Sequence, residues 1–491
     1  MLSRNFQSMI IAKFLGVNAK DTPNNILDGE FTSDSLNVYS NKKGELATLP
    51  GYSAITSASI GSATAWNGVY QYRKAAGTDY IVGGASDGKA YLFASNAYTE
   101  IGNGLASGID KRFVFSQLDD ICFFTDGTNL MKYTGTGSIA TLAGTLATCD
   151  WLISQWRYSF LHSTVDNRLL YYCTVLGSVE SGYTSFINFD DDTGPLTGAC
   201  RQGDDVIVGK SNSLYRVQYT GESPKFRKYR IPATVGPVNF QVMKELPDGT
   251  GVVYLASDNQ VYMLSGDVNI PVGDNIRDYI AAGKAARRQY ATAGMLYEKS
   301  LYFLSFSYTS TSQNDRTVVM DWSRPYPDAM GKTQYPWFIT SIGANCFGEI
   351  ISSGASYLYH GGYVGKLYQE FTGLTFDGSA FTATYSGPFK SLGSPTHEKK
   401  FSDIALTYDQ KGSHNLTITT TVDENSSTAK IITQDMGSGS GYLHKTREIS
   451  RFGKGIQMQF QTSGASQPWL IRDYELLVKP LRSGTNRKIE T

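Results

Sequence analysis

The chain of 491 residues has no long apolar run and no excess charge of either sign, with Lys and Arg numbering 44 and Asp and Glu 44. The first absence excludes a membrane-spanning helix, which needs about 20 consecutive apolar residues. The second excludes a global field that would draw in nucleic acid or an anionic membrane. The apolar start, Met9 to Val17, is broken by Lys13 and no small-residue cleavage site follows, so no export signal is expected and folding in the cytoplasm is the simplest expectation. Cysteine is scarce: Cys122, Cys149, Cys173, Cys200 and Cys346 are odd in number, far apart and without a CxxC pair. They read as small buried hydrophobes in a reducing compartment, not as a disulfide framework. Helical periodicity is almost missing. The clearest exception runs from Asp274 to Gly283, where Asp274 is the expected cap, Ile276, Tyr279 and Ile280 share a face and Gly283 ends the helix.

What the chain does have is aromatic residues and turns. Tyr 32, Phe 24 and Gly 50 are the usage of many short strands joined tightly. A strand, a tight polar turn and a second strand ending in Tyr, Leu or Phe recur, first around Ser86-Asp87-Gly88 and then around Asp126-Gly127. Further copies surround Asp166-Asn167, Ser211-Asn212, Asp258-Asn259, Glu298-Lys299 and Gly361-Gly362. Their spacing of roughly 40 to 47 residues, with a last gap of about 60, is the period of a four-stranded propeller blade. The expected fold is all-β, a propeller of roughly six to eight blade-like units over 61–375. Residues 1–60 crowd turn signals and are expected to run extended along another surface. Over 376–482, alternating strands such as Phe401 to Tyr408 and Leu416 to Val422 predict a small β-sandwich, and 483–491 a flexible tail.

Candidate chemistry has a structural explanation at each point. His162, His360, His397, His414 and His444 are isolated, with no HExxH and no ligand spacing. Asp119-Asp120, Asp190-Asp191-Asp192 and Asp204-Asp205 are the densest acidic sites, but adjacent aspartates on loops usually face water, and the run at 190–192 has at best a weak claim on calcium. Asp87-Gly88 and Asp126-Gly127 are expected as two-residue hairpin turns. The basic clusters Lys225 to Arg230 and Lys284 to Arg288 are candidates for phosphate contact, against the commoner role of charges on strand edges. Tyr70 and Tyr72, Tyr171 and Tyr172, and Tyr357 and Tyr359 have the chemistry to stack on sugars or bases, and core packing is the cheaper explanation. No GxSxG and no GxxxxGK[ST] is present. The expectation is no catalytic, cofactor-binding or metal site: not an enzyme.

Three stretches together resemble the tail hub and nozzle proteins of short-tailed bacteriophages, including the packaged-DNA stabilisation proteins. The first is Gly16-Val-Asn18, Pro23 to Glu30, Leu36-Asn37-Val38-Tyr39, Gly44-Glu-Leu46 and Leu49-Pro50-Gly51-Tyr52, in which Leu49 stands where that family would place a basic residue. The second runs from Val272 to Ile280, through Ala291, Tyr297 to Leu304, Val318 to Asp321 and Trp337, to Gly365-Lys366-Leu367-Tyr368. The third is Gly387 to Pro395 followed by Lys399-Lys400-Phe401 and Leu406-Thr-Tyr408. The resemblance implies a structural virion protein that forms a ring, expected to be a hexamer, below the portal and adaptor proteins. It further implies that the ring prolongs the channel for double-stranded DNA, retains the packaged genome until ejection and carries tail fibres or spikes. The competing readings are a receptor- or glycan-binding propeller, using Trp151 and Trp156, and a polysaccharide-degrading enzyme dependent on Asp191.

Overall fold

The computed structural model describes residues 7–61, 64–142, 148–180, 182–392 and 395–480; the expected tail and Gly393-Ser394 lie outside them. The chain forms two compact units. One comprises Tyr52–Trp322 and Ser341–Glu370, the other Met1–Gly51, Ser323–Thr340 and Phe371–Thr491.

The first unit is a propeller. Seven antiparallel sheets follow one another, with first strands Trp66–Arg73, Val114–Leu118, Cys149–Gln155, Leu196–Gln202, Lys244–Glu245, Thr292–Leu296 and Cys346–Ser352. We number them blades 1 to 7. Six have four strands, and blade 6 has three within this unit, Thr292–Leu296, Leu301–Phe306 and Arg316–Asp321. The fourth strand of blade 7 is Tyr52–Ala54, which comes from before blade 1 and pairs antiparallel with Leu367–Glu370. Blade 7 is therefore completed from both ends of the unit, so the ring is fastened by backbone hydrogen bonds as well as by side-chain packing.

Six of the seven expected turns join the second and third strands of a blade. The exception is Glu298-Lys299, which joins the first and second strands of blade 6. There the second-to-third connection is longer, and the Asp315 carboxylate organises it by accepting from the Tyr308, Thr309 and Ser310 amides. The Asp-Gly turns also differ from the expected two-residue form. At Ser86-Asp87-Gly88 only Gly88 has positive φ (75°), and the turn is closed by Gly88 N–H donating to the Ala85 carbonyl. Ser257-Asp258-Asn259 repeats it with Asn259 at 68°. In both, the aspartate accepts from a tyrosine four residues on, Tyr91 at 2.6 Å and Tyr262 at 2.9 Å. A three-residue loop with one left-handed residue suits these turns because it leaves the aspartate free to bond back to its own hairpin.

Neighbouring blades are joined by side-chain amides and carboxylates near the ends of their first strands. Gln71 clamps Ile351 of blade 7 by accepting from its N–H (2.7 Å) and donating to its carbonyl (2.6 Å). Gln117 makes the same double bond to Arg73 of blade 1. Gln155 donates to Gly203 (3.1 Å), Gln202 to Thr250 (2.9 Å), Glu245 accepts from Gly203 N–H (2.7 Å), and Glu349 from Met295 N–H (3.1 Å). Two glycines permit the close approach that closes the ring: a Cβ on Gly68 would lie 2.4 Å from the Phe113 carbonyl oxygen, and one on Gly348 would lie 2.7 Å from Val69. Gln202 is 6% exposed. Replacing it with Leu leaves the Thr250 carbonyl without this donor, and a loss of about 1–3 kcal/mol is expected in urea unfolding; an unchanged midpoint would show that the clamp carries no stability.

Aromatic residues fill the spaces between sheets, with Trp66, Tyr72, Tyr215, Tyr254 and Tyr302 fully buried. All five cysteines are buried in these inter-blade cores without disulfides. Burial pushes the Cys200 and Cys346 thiols up to about 12, so both stay protonated.

The second unit is a β-sandwich assembled from both ends of the chain. One sheet has the order Val38–Ser40, Leu46–Thr48, Leu470–Pro480, Lys399–Asp409, Tyr442–Gly453, with Gln7–Ile11 also pairing with Leu470–Pro480. The other has the order Ala383–Ser386, Ile456–Thr462, Asn415–Val422, Lys430–Asp435. Phe14 and Phe31 pack edge-on against Tyr385, which stacks on Phe460. Residues 7–51 are thus part of this domain and not a separate extended segment, because their strands complete its sheet and their aromatic rings its core. The stretch 323–340 belongs to it too: Arg324 donates to Ser40, Tyr326 to Glu30 (3.0 Å), and Val17 N–H to the Trp337 carbonyl (2.7 Å). The expected helix is shorter than its pattern, Arg277–Ala282, with Ile276 and not Asp274 at the N-cap position. Asp274 instead accepts from Gln260.

Candidate functional site

The charged candidates mostly neutralise one another. The acidic run at 190–192 faces the basic cluster: Lys228 bonds Asp191, and Arg230 lies 3.5 Å from Asp192. Burial alone would push the Asp191 carboxyl up, but the Lys228 hydrogen bond and charge outweigh it and hold it below its ordinary value. Asp119 pairs with Arg157 (3.0 Å), Asp120 accepts from Ala75 N–H (2.7 Å), and Asp205 pairs with Arg216 (2.6 Å). Arg287 forks onto Asp110 and lies over the Tyr290 ring. Asp126, 1% exposed, accepts from the Ala106, Thr128 and Asn129 amides, which makes it a turn-building carboxylate.

The histidines and aromatic pairs are likewise built into the fold. His162 and His360 are each 2% exposed, the first beside Asp150 and the second beside Glu370. His444 bonds Thr407, His397 bonds Thr396, and burial lowers His414. Among the described residues no group of three or more His, Cys, Asp or Glu is placed to hold a metal ion. Trp151 is buried and stacks on His162 and Phe240, while Trp156 packs against Tyr219 and Phe226. Tyr72 donates to the Asp120 carbonyl, Tyr171 and Tyr172 pack on Phe186 and Phe226, and Tyr357 and Tyr359 lie on the Trp66 core. These side chains serve packing, and the sugar-stacking surface suggested by their sequence positions is not assembled from them.

Of the aromatic pairs singled out in sequence, Tyr70 is the member that reaches a cavity of about 360 Å³ on the propeller axis, lined by the first strands of all seven blades. Its apolar wall includes Phe113, Val114, Leu152, Phe240 and Phe347, and its polar side carries Gln71, Ser116, Arg201, Lys244, Glu245 and Glu349. Lys244 and Glu349, from blades 5 and 7, pair at 3.1 Å. Nearby, the Glu349 carboxylate, ahead of burial, raises the Tyr297 phenol and keeps it protonated. Arg201 donates from Nε to the Ser154 carbonyl and from Nη2 to Ser154 Oγ, both at 3.0 Å. A second polar cluster is centred on Arg112, which donates to the Asn345 side chain (2.8 Å) and to the Tyr290 (2.9 Å) and Ile109 (3.2 Å) carbonyls. Asn345 in turn donates to the Trp66 carbonyl and the Asn67 side chain. Arg112 thereby stitches blades 1, 6 and 7 together. Arg201, Lys244 and Glu349 were missed in sequence, where they look like ordinary strand charges; the available signal was their place one step before, or level with, the repeated Gln and Glu that end the first strands.

No family model matches the chain, and no curated protein matches it. Among solved structures, the WD40 β-propeller domain of Doa1 is similar with a TM-score of 0.40 at 10% identity, over 66% of this chain and 96% of that one. The computationally designed Ika8 protein is similar with a TM-score of 0.36 at 10% identity, over 65% of this chain and 99% of that one.

Proposed function

We propose that this chain is a structural subunit of a bacteriophage tail, in the hub or nozzle position, where several copies close a ring around the path of the packaged DNA. The observation that carries this reading is the meeting of the first and third resemblance stretches, whose contacting residues lie more than 350 positions apart in the sequence. Phe389 N–H donates to the Pro23 carbonyl (2.9 Å), and Lys390 Nζ donates to the Ile26 carbonyl and pairs with Asp28, both at 2.8 Å. The first and third stretches on which the resemblance rests thus supply framework residues of one β domain.

Two physical points agree with a ring. A cavity of about 360 Å³ suits a small molecule and is far too small for a duplex, so a conduit would have to be formed by several copies together. Lys228, Arg230 and Arg287 are each paired with an aspartate, which reduces the charge the two basic runs offer to phosphate and suits a channel through which DNA must slide. A ring requires two different faces of each subunit to meet. Portal and adaptor proteins on one side and fibres or spikes on the other are the partners this role implies, with the virion tail as its location. Electron microscopy of the purified protein and of virions is expected to show rings of uniform copy number; a strictly monomeric species in both would overturn the proposal.

A further inference from the structure

The axial cavity has an asymmetry of charge that does not depend on the tail reading. Its two carboxylates are engaged: Glu349 holds Lys244 Nζ and the Met295 N–H, and Glu245 accepts from the Gly203 N–H. Lys244 is engaged by the same pair. Arg201 is different. It is bound by Ser154 through Nε and Nη2 and by no carboxylate among the described residues, which leaves the Nη1 edge of the guanidinium to donate elsewhere. Arg201 is exposed, so a solute can reach it.

Tyr70 lines the same cavity as Arg201 and Ser116, with its ring stacked on Phe115. Burial raises the Tyr70 phenol well above its ordinary value and keeps the hydroxyl as a donor, while the charge of Arg201 acts on it in the opposite direction. A fixed guanidinium edge and a protonated phenol that line one cavity suit an oxyanion. The nearby carboxylates of Glu245 and Glu349 disfavour a multiply charged one. The apolar part of the lining is formed by Phe113, Val114, Leu152, Phe240 and Phe347.

We propose that the axial cavity binds a small organic monocarboxylate, its carboxylate on Arg201 and Tyr70 and its apolar body against the Phe113, Leu152 and Phe347 wall. The class follows from one available cation, two repelling acids and an apolar wall in a volume that suits small ligands. Phosphate, with more charge and no apolar body, does not meet these conditions.

The test is titration calorimetry of the full chain with hexanoate. The expected result is saturable binding at one site per chain that inorganic phosphate does not displace. R201M is expected to weaken it at least about tenfold, the effect of losing a charged hydrogen bond in a partly enclosed site. Y70F, which removes a single hydroxyl, is expected to fold as the parent does and to weaken binding several-fold. R157M, whose arginine pairs with Asp119 outside the cavity, is expected to bind as the parent does. Absence of saturable binding, equal competition by phosphate, or R201M and Y70F both binding as tightly as the parent would each overturn the assignment. None of these outcomes bears on ring formation.

Discussion

A chain that begins at residue 55 is expected to lose the cooperative unfolding of the β-sandwich and to weaken the propeller as well. The deletion strips Gln7–Ile11 and Leu46–Thr48 from the strand Leu470–Pro480, and takes away Val38–Ser40, which pairs with Leu46–Thr48, as well. It removes Phe14 and Phe31 from around Tyr385, and with them buried Ile11, Val17, Ile26, Val38, Leu46 and Leu49. At about 1.5–3 kcal/mol for each large apolar side chain, the loss exceeds the whole net stability of an ordinary domain. It also removes Tyr52–Ala54, so blade 7 ends on an open edge. Calorimetry and limited proteolysis of the truncated chain read this directly. A separate extended segment lying on another surface would leave the C-terminal domain melting within about 5 °C of its position in the full chain; that result would refute the shared domain.

Arg112→Met is expected to cost about 1–3 kcal/mol, the penalty for leaving buried hydrogen-bond acceptors without their donor. It leaves the Asn345 side-chain oxygen and the Tyr290 and Ile109 carbonyls without their guanidinium donor. Because the network joins blades 1, 6 and 7, the loss falls where the ring closes. Arg288→Met provides the opposite comparison. Arg288 is 8% exposed, lies over Phe306, and its three guanidinium nitrogens have no hydrogen-bond partner among the described residues. Removing a buried charge without a partner is expected to raise stability by about 1–3 kcal/mol. Urea unfolding of both variants gives the two signs. Equal destabilisation would show that the arginines act through packed side-chain volume and not through their hydrogen bonds.

The blade repeat was legible because its cause is local. Ser86-Asp87-Gly88 and Ser257-Asp258-Asn259 build the same turn from three residues and a tyrosine four positions beyond the aspartate, so sequence spacing carries the signal. Blade 6 obscured it, because its second-to-third connection is a longer loop held by Asp315 and its first hairpin, at Glu298-Lys299, imitates the repeat. The acidic run 190–192 and the basic run 225–230 were each visible as candidates, yet their pairing was not: Lys228, on the strand Phe226–Ile231, meets Asp191, in the loop before Leu196–Gln202, only in the folded blade. Short helices are hard to place from sequence for a related reason. The Asp274 side chain has the chemistry of a cap, but Gln260, from the preceding hairpin, takes it instead.

Sequence by itself determined the class of this protein, because strand alternation, turn chemistry and a repeat of roughly 40 to 47 residues depend only on neighbours along the chain. It also determined that the five cysteines are interior residues, since isolated thiols in an aromatic-rich β chain pack as small apolar groups. Only the tertiary structure decided that Tyr52–Ala54 completes the last blade and that residues 7–48 belong to the C-terminal sandwich. Those pairings join positions more than 300 residues apart, and a sheet edge accepts any strand of suitable register, so nothing in the local pattern names the partner. The axial cavity is of the same kind. Arg201, Lys244 and Glu349 lie on three separate blades and acquire their common setting only when the ring closes.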